Sequence, residues 1–376
     1  MAKCKLKGCR LEVGAPVEVD RHAGHFWFPT LHAVSGEDVL CSITTADDKA
    51  QGEWPAVLYR SQDGGRSWKR ACDIRYSPAA TVLAPGKVLL MPYELWPLAP
   101  GEKRNLRADG TTLTCTADGS VSAERTPVKL LGFPRDLADY HESELRIVAN
   151  GNILPLRDGR LFMTVYGTFD GEEKYDVFAM SSDDGGRTWE YVSTVARWQD
   201  TPGANEGPDE SNTVRLADGR LMCVSRVGGG QEFYKCYSAD DAATWSKPER
   251  MAGVWSVEPK LVRLDGGVIL LSSGREGLFL WVCADGAGRA WERFNLAEHH
   301  NAHVADAAMR YAEDFLQAKG GNPAYSTAYT GILAVGPDEA LVCYDRLGNG
   351  WAGSPGPWGE KDAVFCVRVK SEPASR

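Results

Sequence analysis

Six times the chain repeats one unit: an apolar run, a tight turn containing glycine, and a second apolar run. The copies read LHAVSGEDVLCSI (31–43), VLAPGKVLLMPY (82–93), LPLRDGRLFMTVY (154–166), VRLADGRLMCVSR (214–226), VRLDGGVILLSS (262–273) and LAVGPDEALVCYD (333–345). Asp-Gly and Pro-Gly turns flanked by strand formers are hairpin signals. A supersecondary unit that recurs every few tens of residues must stack on its neighbours to bury its apolar faces. Six such units imply six four-stranded blades with loops of unequal length. The fold expected is therefore all-β: a single six-bladed β-propeller domain spanning 1–376, at a length where an all-β architecture can remain one domain.

A second repeat runs in phase with the first. The pattern S-x-D-x-G-x-[ST]-W, the Asp box, is complete from Ser61 through Asp63, Gly65 and Ser67 to Trp68. It is complete again from Ser182 through Asp184, Gly186 and Thr188 to Trp189. A third copy, Ser238 to Trp245, has Ala242 in place of the glycine, and a longer, degraded copy surrounds Asp285 and Trp291. Ala117-Asp118-Gly119 reads as a possible fifth copy. The carboxylate is suited to accept turn amide hydrogens, the glycine to adopt φ > 0, and the Trp to fill apolar space. This is scaffold chemistry rather than a ligand site.

One segment departs from the strand pattern. In AHVADAAMRYAEDFLQAKGG (302–321), Val304, Ala308, Tyr311 and Phe315 recur at helical spacing, and a Gly-Gly pair follows. It is expected to be one helical insertion between blades five and six. The preceding Glu298–His303 stretch, with three of the seven histidines, reads as a polar loop.

Composition bounds the function. A net charge of −9 without a basic run argues against nucleic acid as a partner. No apolar run approaches the roughly 20 residues of a membrane-spanning helix, so no membrane partner is expected. Most of the ten cysteines sit singly within apolar strands and no CxxC pair occurs. That pattern suits reduced thiols and leaves no signature of structural zinc. With no apolar leader visible, a cytoplasmic location is the expectation. Neither a metal nor a cofactor is called for, and oligomeric state is not legible.

With Asp boxes in phase with strand repeats, roughly residues 20–370 resemble the sialidase (neuraminidase) superfamily. That resemblance implies a retaining exo-glycosidase acting on a terminal sialic acid or related acidic sugar, with a glycan or small-molecule substrate. It implies three arginines around the substrate carboxylate, a Tyr nucleophile, a Glu that activates it, and a loop Asp as general acid. Glu210 and Arg226, in the run from Asn205 to Arg226, match the family's Glu and second arginine, with Glu206 as a competing carboxylate. Arg275 in SSGREGLFLWVCADG matches the third arginine. Tyr329 in AYTGILAVGPDEALVCYD matches the nucleophile, with Tyr325 as the alternative. Asp48 corresponds to the general acid, with Asp47 beside it.

The resemblance breaks at one place. The family's first arginine opens an Arg-Ile-Pro motif, and here Phe26-Trp27-Phe28-Pro29 puts Trp27 at that position. Charge-assisted pairs are among the strongest polar contacts, so this change bears on substrate choice. Three outcomes are open. Another cation substitutes, from Arg21, His22, His25 or Arg146; Trp27 stacks on the face of a different sugar; or catalysis is lost and a glycan-binding propeller remains.

Overall fold

The computed structural model describes residues 2–48, 54–138, 147–275, 277–316, 327–348 and 361–373. The chain divides into two compact units, Met1–Ile74 with Ser256–Arg376, and Arg75–Trp255. Both are built almost wholly of antiparallel strands.

All six Gly-turn repeats form hairpins. Leu31 pairs with Cys41, Val82 with Val88, Leu154 with Phe162, Val214 with Met222, Val262 with Leu270, and Leu333 with Leu341. The second strand of each repeat is an almost unbroken apolar run because both of its faces are covered, as in Asp38–Thr44 and Leu221–Arg226.

In the first unit, one four-stranded sheet comprises Trp27–Ser35, Asp38–Thr44, Pro55–Ser61 and Lys69–Arg75. A second comprises Val257–Arg263, Ile269–Gly274, Phe279–Cys283 and Glu292–Asn295. The third contains Thr330–Ala334, Glu339–Arg346 and Asp362–Pro373, and the beginning of the chain completes it. Cys9–Val13 and Val17–His22 both pair with Asp362–Pro373. Leu270, Val282, Val342 and Val367 share one apolar cluster in this unit.

In the second unit, Asp209–Arg215, Leu221–Arg226, Glu232–Ser238 and Glu249–Trp255 form a four-stranded sheet. The remaining strands form two antiparallel meanders merged into one ten-stranded sheet. The merger is a short parallel pairing of Val121–Leu131 with Thr188–Ala196, running from Lys129 opposite Thr188 to Leu131 opposite Glu190.

The Asp boxes act as turn staples. Asp63 accepts the backbone amides of Arg66 and Ser67 at 3.0 and 2.9 Å and the hydroxyls of Ser61 and Ser67 at 2.7 and 2.6 Å. Burial tends to raise its pKa, but these donors outweigh it and hold the carboxyl at about 2. Asp184 and Asp240 accept the same way from Thr188 and Thr244. In the degraded copy, the Cys283 thiol occupies the serine's role, 3.0 Å from Asp285. The third copy keeps its shape without glycine, since Ala242 adopts φ 72.

The helical insertion differs from its expected place. The α-helix is Leu296–His303, followed by a 3-10 turn at Ala307–Met309 and a short helix at Glu313–Leu316. Asn295 starts it by accepting the amides of Ala297 and Glu298, both at 3.1 Å. Asp306 then caps the next turn, accepting the Ala308 amide, so the pattern at 304–315 is broken into turns. Tyr311 and Phe315 are nevertheless buried in the apolar cluster. The histidine stretch read as a loop is therefore helical. Within it, His300 is buried, with Nδ1 3.1 Å from the Tyr344 hydroxyl and Nε2 2.9 Å from the Met309 carbonyl. Burial pulls it down to about 4.

Candidate active site

Three sheets carry the same irregularity in their first strand. Register shifts lie between Trp27 and Thr30, Asp209 and Asn212, and Val257 and Lys260. In each case one extra residue is inserted, and that residue has positive φ: Phe28 at 53°, Glu210 at 31° and Glu258 at 44°. A non-glycine residue in this region costs on the order of 1–3 kcal/mol, and such strain collects at functional sites. A bulge also turns its side chain away from the regular face of the strand. Two of the three bulged residues are buried glutamates.

In the second unit, the bulge organises a carboxylate cluster around one guanidinium. Asp209 lies opposite Arg226 across the two strands. Arg226 Nη1 is 2.8 Å from Glu210 Oε1, and Nη2 is 2.9 Å from Glu206 Oε2. Asp209 is fully buried beside them, and its Oδ1 lacks a hydrogen-bond partner among the described residues. Burial drives the Asp209 carboxyl well above its ordinary value. Arg226 opposes this, while Glu210 and Glu206 reinforce it. Tyr166, buried with its hydroxyl 3.2 Å from that of Tyr93, also has a raised pKa, through burial first and then the charges of Tyr93, Glu210 and Asp209.

The first unit holds a series of ring contacts, two stacked and one tilted. His25 lies 4.7 Å from Trp27, Trp27 4.4 Å from Phe28, and Phe28 4.5 Å from Tyr329 (ring centroids). The Arg275 guanidinium sits 5.2 Å over the Tyr329 ring. Arg275 itself has φ 60, and its carbonyl accepts the Ser256 hydroxyl at 2.6 Å. Asp345 anchors this series, accepting the amides of Phe28, Ala328 and Tyr329 at 3.0, 2.6 and 3.4 Å and the Thr327 hydroxyl at 2.6 Å. Burial holds Asp345 at about 6. The third bulge belongs to this unit too, where Glu258 Oε1 meets Lys260 Nζ at 3.1 Å with both side chains buried.

The structure thus pairs Glu210 with Arg226, and Arg275 with Tyr329. Trp27 is stacked with His25 at 4.7 Å and with Phe28 at 4.4 Å, and its Nε1 donates to the Ala46 carbonyl at 2.8 Å. Only 1 % of its surface is exposed. Asp47 and Asp48 are exposed after the strand Asp38–Thr44. His25 is lowered by burial, against the charge of Asp47. Arg21 is engaged by Glu18 and Asp306. Arg146 and Tyr325 lie outside the described residues.

Residues 129–329 match the BNR repeat-like domain. The chain belongs to the BNR repeat-like family. No curated protein matches the sequence significantly. Among solved structures, it is similar to a protein of unknown function from Dyadobacter fermentans (17% identity, 96% of this chain and 99% of that one, TM-score 0.65). It is also similar to a Hadza microbial sialidase (13%, 95% and 68%, 0.59) and to a Penicillium chrysogenum α-L-arabinanase complexed with arabinobiose (14%, 94% and 98%, 0.60). At these identities the likeness is one of β-propeller fold.

Within this BNR repeat-like chain, sequence reasoning passed over Asp209, Glu258 and Lys260. Asp209 had one visible signal, its place directly beside Glu210. Glu258 and Lys260 had none, since a bulge is not visible in residue type.

Proposed function

We infer that this BNR repeat-like chain is a glycoside hydrolase acting on the terminal sugar of a glycan, built as one six-bladed propeller. The observation that carries the reading is Glu210: buried, strained, and ion-paired to Arg226 beside a carboxyl group whose pKa is raised. A buried, strained carboxylate ion-paired beside a carboxyl group raised by burial is the kind of arrangement found at functional sites. Tyr329 is the proposed nucleophile, Glu210 the base and Asp48 the acid, with Asp47 as its alternative. The Arg275 guanidinium, 5.2 Å over the Tyr329 ring, supports this role by placing a cation beside the proposed nucleophile. A Tyr nucleophile is a known departure from the two-carboxylate rule in glycosidases.

An acidic sugar would be held by Arg226 and Arg275. A second reading, a neutral sugar, is favoured by a specific observation. The terminal nitrogens of Arg226 are already engaged by Glu206 and Glu210, with the buried Asp209 beside them, so a substrate carboxylate would compete with three carboxyl groups for one cation. A substrate carboxylate there meets repulsion rather than a spare cation.

Fluorogenic glycosides test both readings. The expected result is turnover of a neutral glycoside, such as an arabinofuranoside, in preference to a sialoside, abolished by both Tyr329→Phe and Glu210→Gln. Turnover that survives both substitutions rejects the site. Binding without turnover across the panel replaces the enzyme with a glycan-binding propeller.

A further inference from the structure

The second unit contains a cleft of about 520 Å³ that none of these roles uses. One wall is the segment Pro202–Ala204, and the other runs from Val227 and Gly230 into Glu232 and Tyr234, with Arg250 and Trp255 closing the end. Its volume falls within the range of small-molecule sites.

The walls are pinned to each other. Gln231 Nε2 donates to the Gly203 carbonyl at 2.8 Å, and its Oε1 accepts the Asn205 amide at 3.0 Å. The Tyr234 hydroxyl donates to the Pro202 carbonyl at 3.2 Å. The amides of Asn205 and Glu206 both reach the Val227 carbonyl, at 3.1 and 3.3 Å. Binding therefore does not have to order these loops first. The same two loops carry Glu206 and Arg226, the residues next to Asn205 and Val227. The cleft is thus continuous along the chain with the carboxylate cluster of its own unit.

Its chemistry suits a sugar ring. Tyr234 and Trp255 are half-buried aromatics, amphipathic surfaces against which the C–H face of a sugar can pack. Arg250 and Glu232 form an ion pair at the end of the cleft, with 67% and 23% of their side chains exposed. Together they offer a donor and an acceptor for neighbouring hydroxyls, and their mutual neutralisation leaves no net charge to select an anion. A Cβ at Gly203 would meet no atom within 4 Å, so that wall leaves room for a ring.

We propose that this cleft is a glycan subsite, holding a neutral sugar unit adjacent to the terminal sugar handled at Glu210. Its place as the leaving-group side rests on the glycosidase reading, whereas the binding of a sugar does not.

Calorimetric titration with arabinobiose, arabinotriose and 3′-sialyllactose tests it, using the full chain and its Trp255→Ala, Tyr234→Ala and Arg250→Ala variants. The expected result is that wild type binds at least one of the three, and that Trp255→Ala or Tyr234→Ala weakens it about tenfold, the scale of one aromatic contact. Arg250→Ala, at an exposed position, is expected to weaken it several-fold. If none of the three oligosaccharides saturates wild type, or if all variants bind as wild type does, the subsite is overturned. Loss of binding in the variants of a chain that turns over no aryl glycoside keeps the subsite and removes the glycosidase.

Discussion

Glu210 holds Arg226 at 2.8 Å from a backbone conformation, φ 31, that strand residues avoid. The bulge that strains Glu210 also directs it at the guanidinium, so the strain and the ion pair are parts of one arrangement. Replacing Glu210 with Gln keeps its shape and a hydrogen-bond acceptor but removes its charge and its capacity as a base. Steady-state kinetics on the active glycoside should show kcat reduced at least about a hundredfold. The stability loss should stay within about 1–3 kcal/mol, because Glu206 still pairs with Arg226. A loss of activity matched by global unfolding in the thermal melt would assign Glu210 to the scaffold instead.

Trp27 is expected to matter for stability rather than for sugar recognition. It is buried and stacked with His25 and Phe28, and Trp27→Ala should cost about 3–5 kcal/mol, as for other large buried aromatics. Denaturant unfolding measures this directly. A well-folded Trp27→Ala protein with an altered substrate profile would restore the stacking role.

Glu258 and Lys260 form a buried pair in the first unit, and the two single substitutions should not resemble the double one. Lys260→Met leaves a buried carboxylate without its cation and should destabilise by about 3–5 kcal/mol. Combining it with Glu258→Met removes both charges and should recover much of that loss. A double variant no more stable than Lys260→Met would show that Glu258 is held by other contacts.

Two carboxylates predict opposite pH trends. The folded pKa of Asp63 is depressed to about 2, so its contribution is present above its ordinary value near 3.8 and is lost as pH falls toward 2. Asp345 is raised to about 6, so its contribution is complete below 3.8 and declines as pH rises through 6. Unfolding free energies measured from pH 2 to 8 should show a shallower acid-side slope in Asp63→Asn. The slope near pH 6 should weaken in Asp345→Asn. An unchanged profile in either variant rejects the corresponding assignment.

The strands and Asp boxes were legible because their signals are local. A hairpin needs only its turn residues and its flanking apolar runs, and Asp63 needs only partners within four residues of it. The helix was legible in kind but not in place. Periodicity at 304–315 recorded which residues are buried, whereas the capping groups of Asn295 and Asp306 decided where helical turns begin.

The pairing of Glu210 with Arg226 was readable from the strand–turn–strand spacing between them, since a hairpin returns its two ends to one side. By itself, then, the sequence determined the repeated hairpins, the box turns and this one ion pair, all through contacts short in sequence or closed by a single turn. Only the tertiary structure decided that Trp27 is buried within a series of ring contacts from His25 to Tyr329, that Asp209 is buried with a raised pKa, and that Glu258 sits on a bulge. Each of these depends on what packs against a side chain from elsewhere in its unit. Burial and the electric field it creates belong to that packing and are not properties of residue type or spacing.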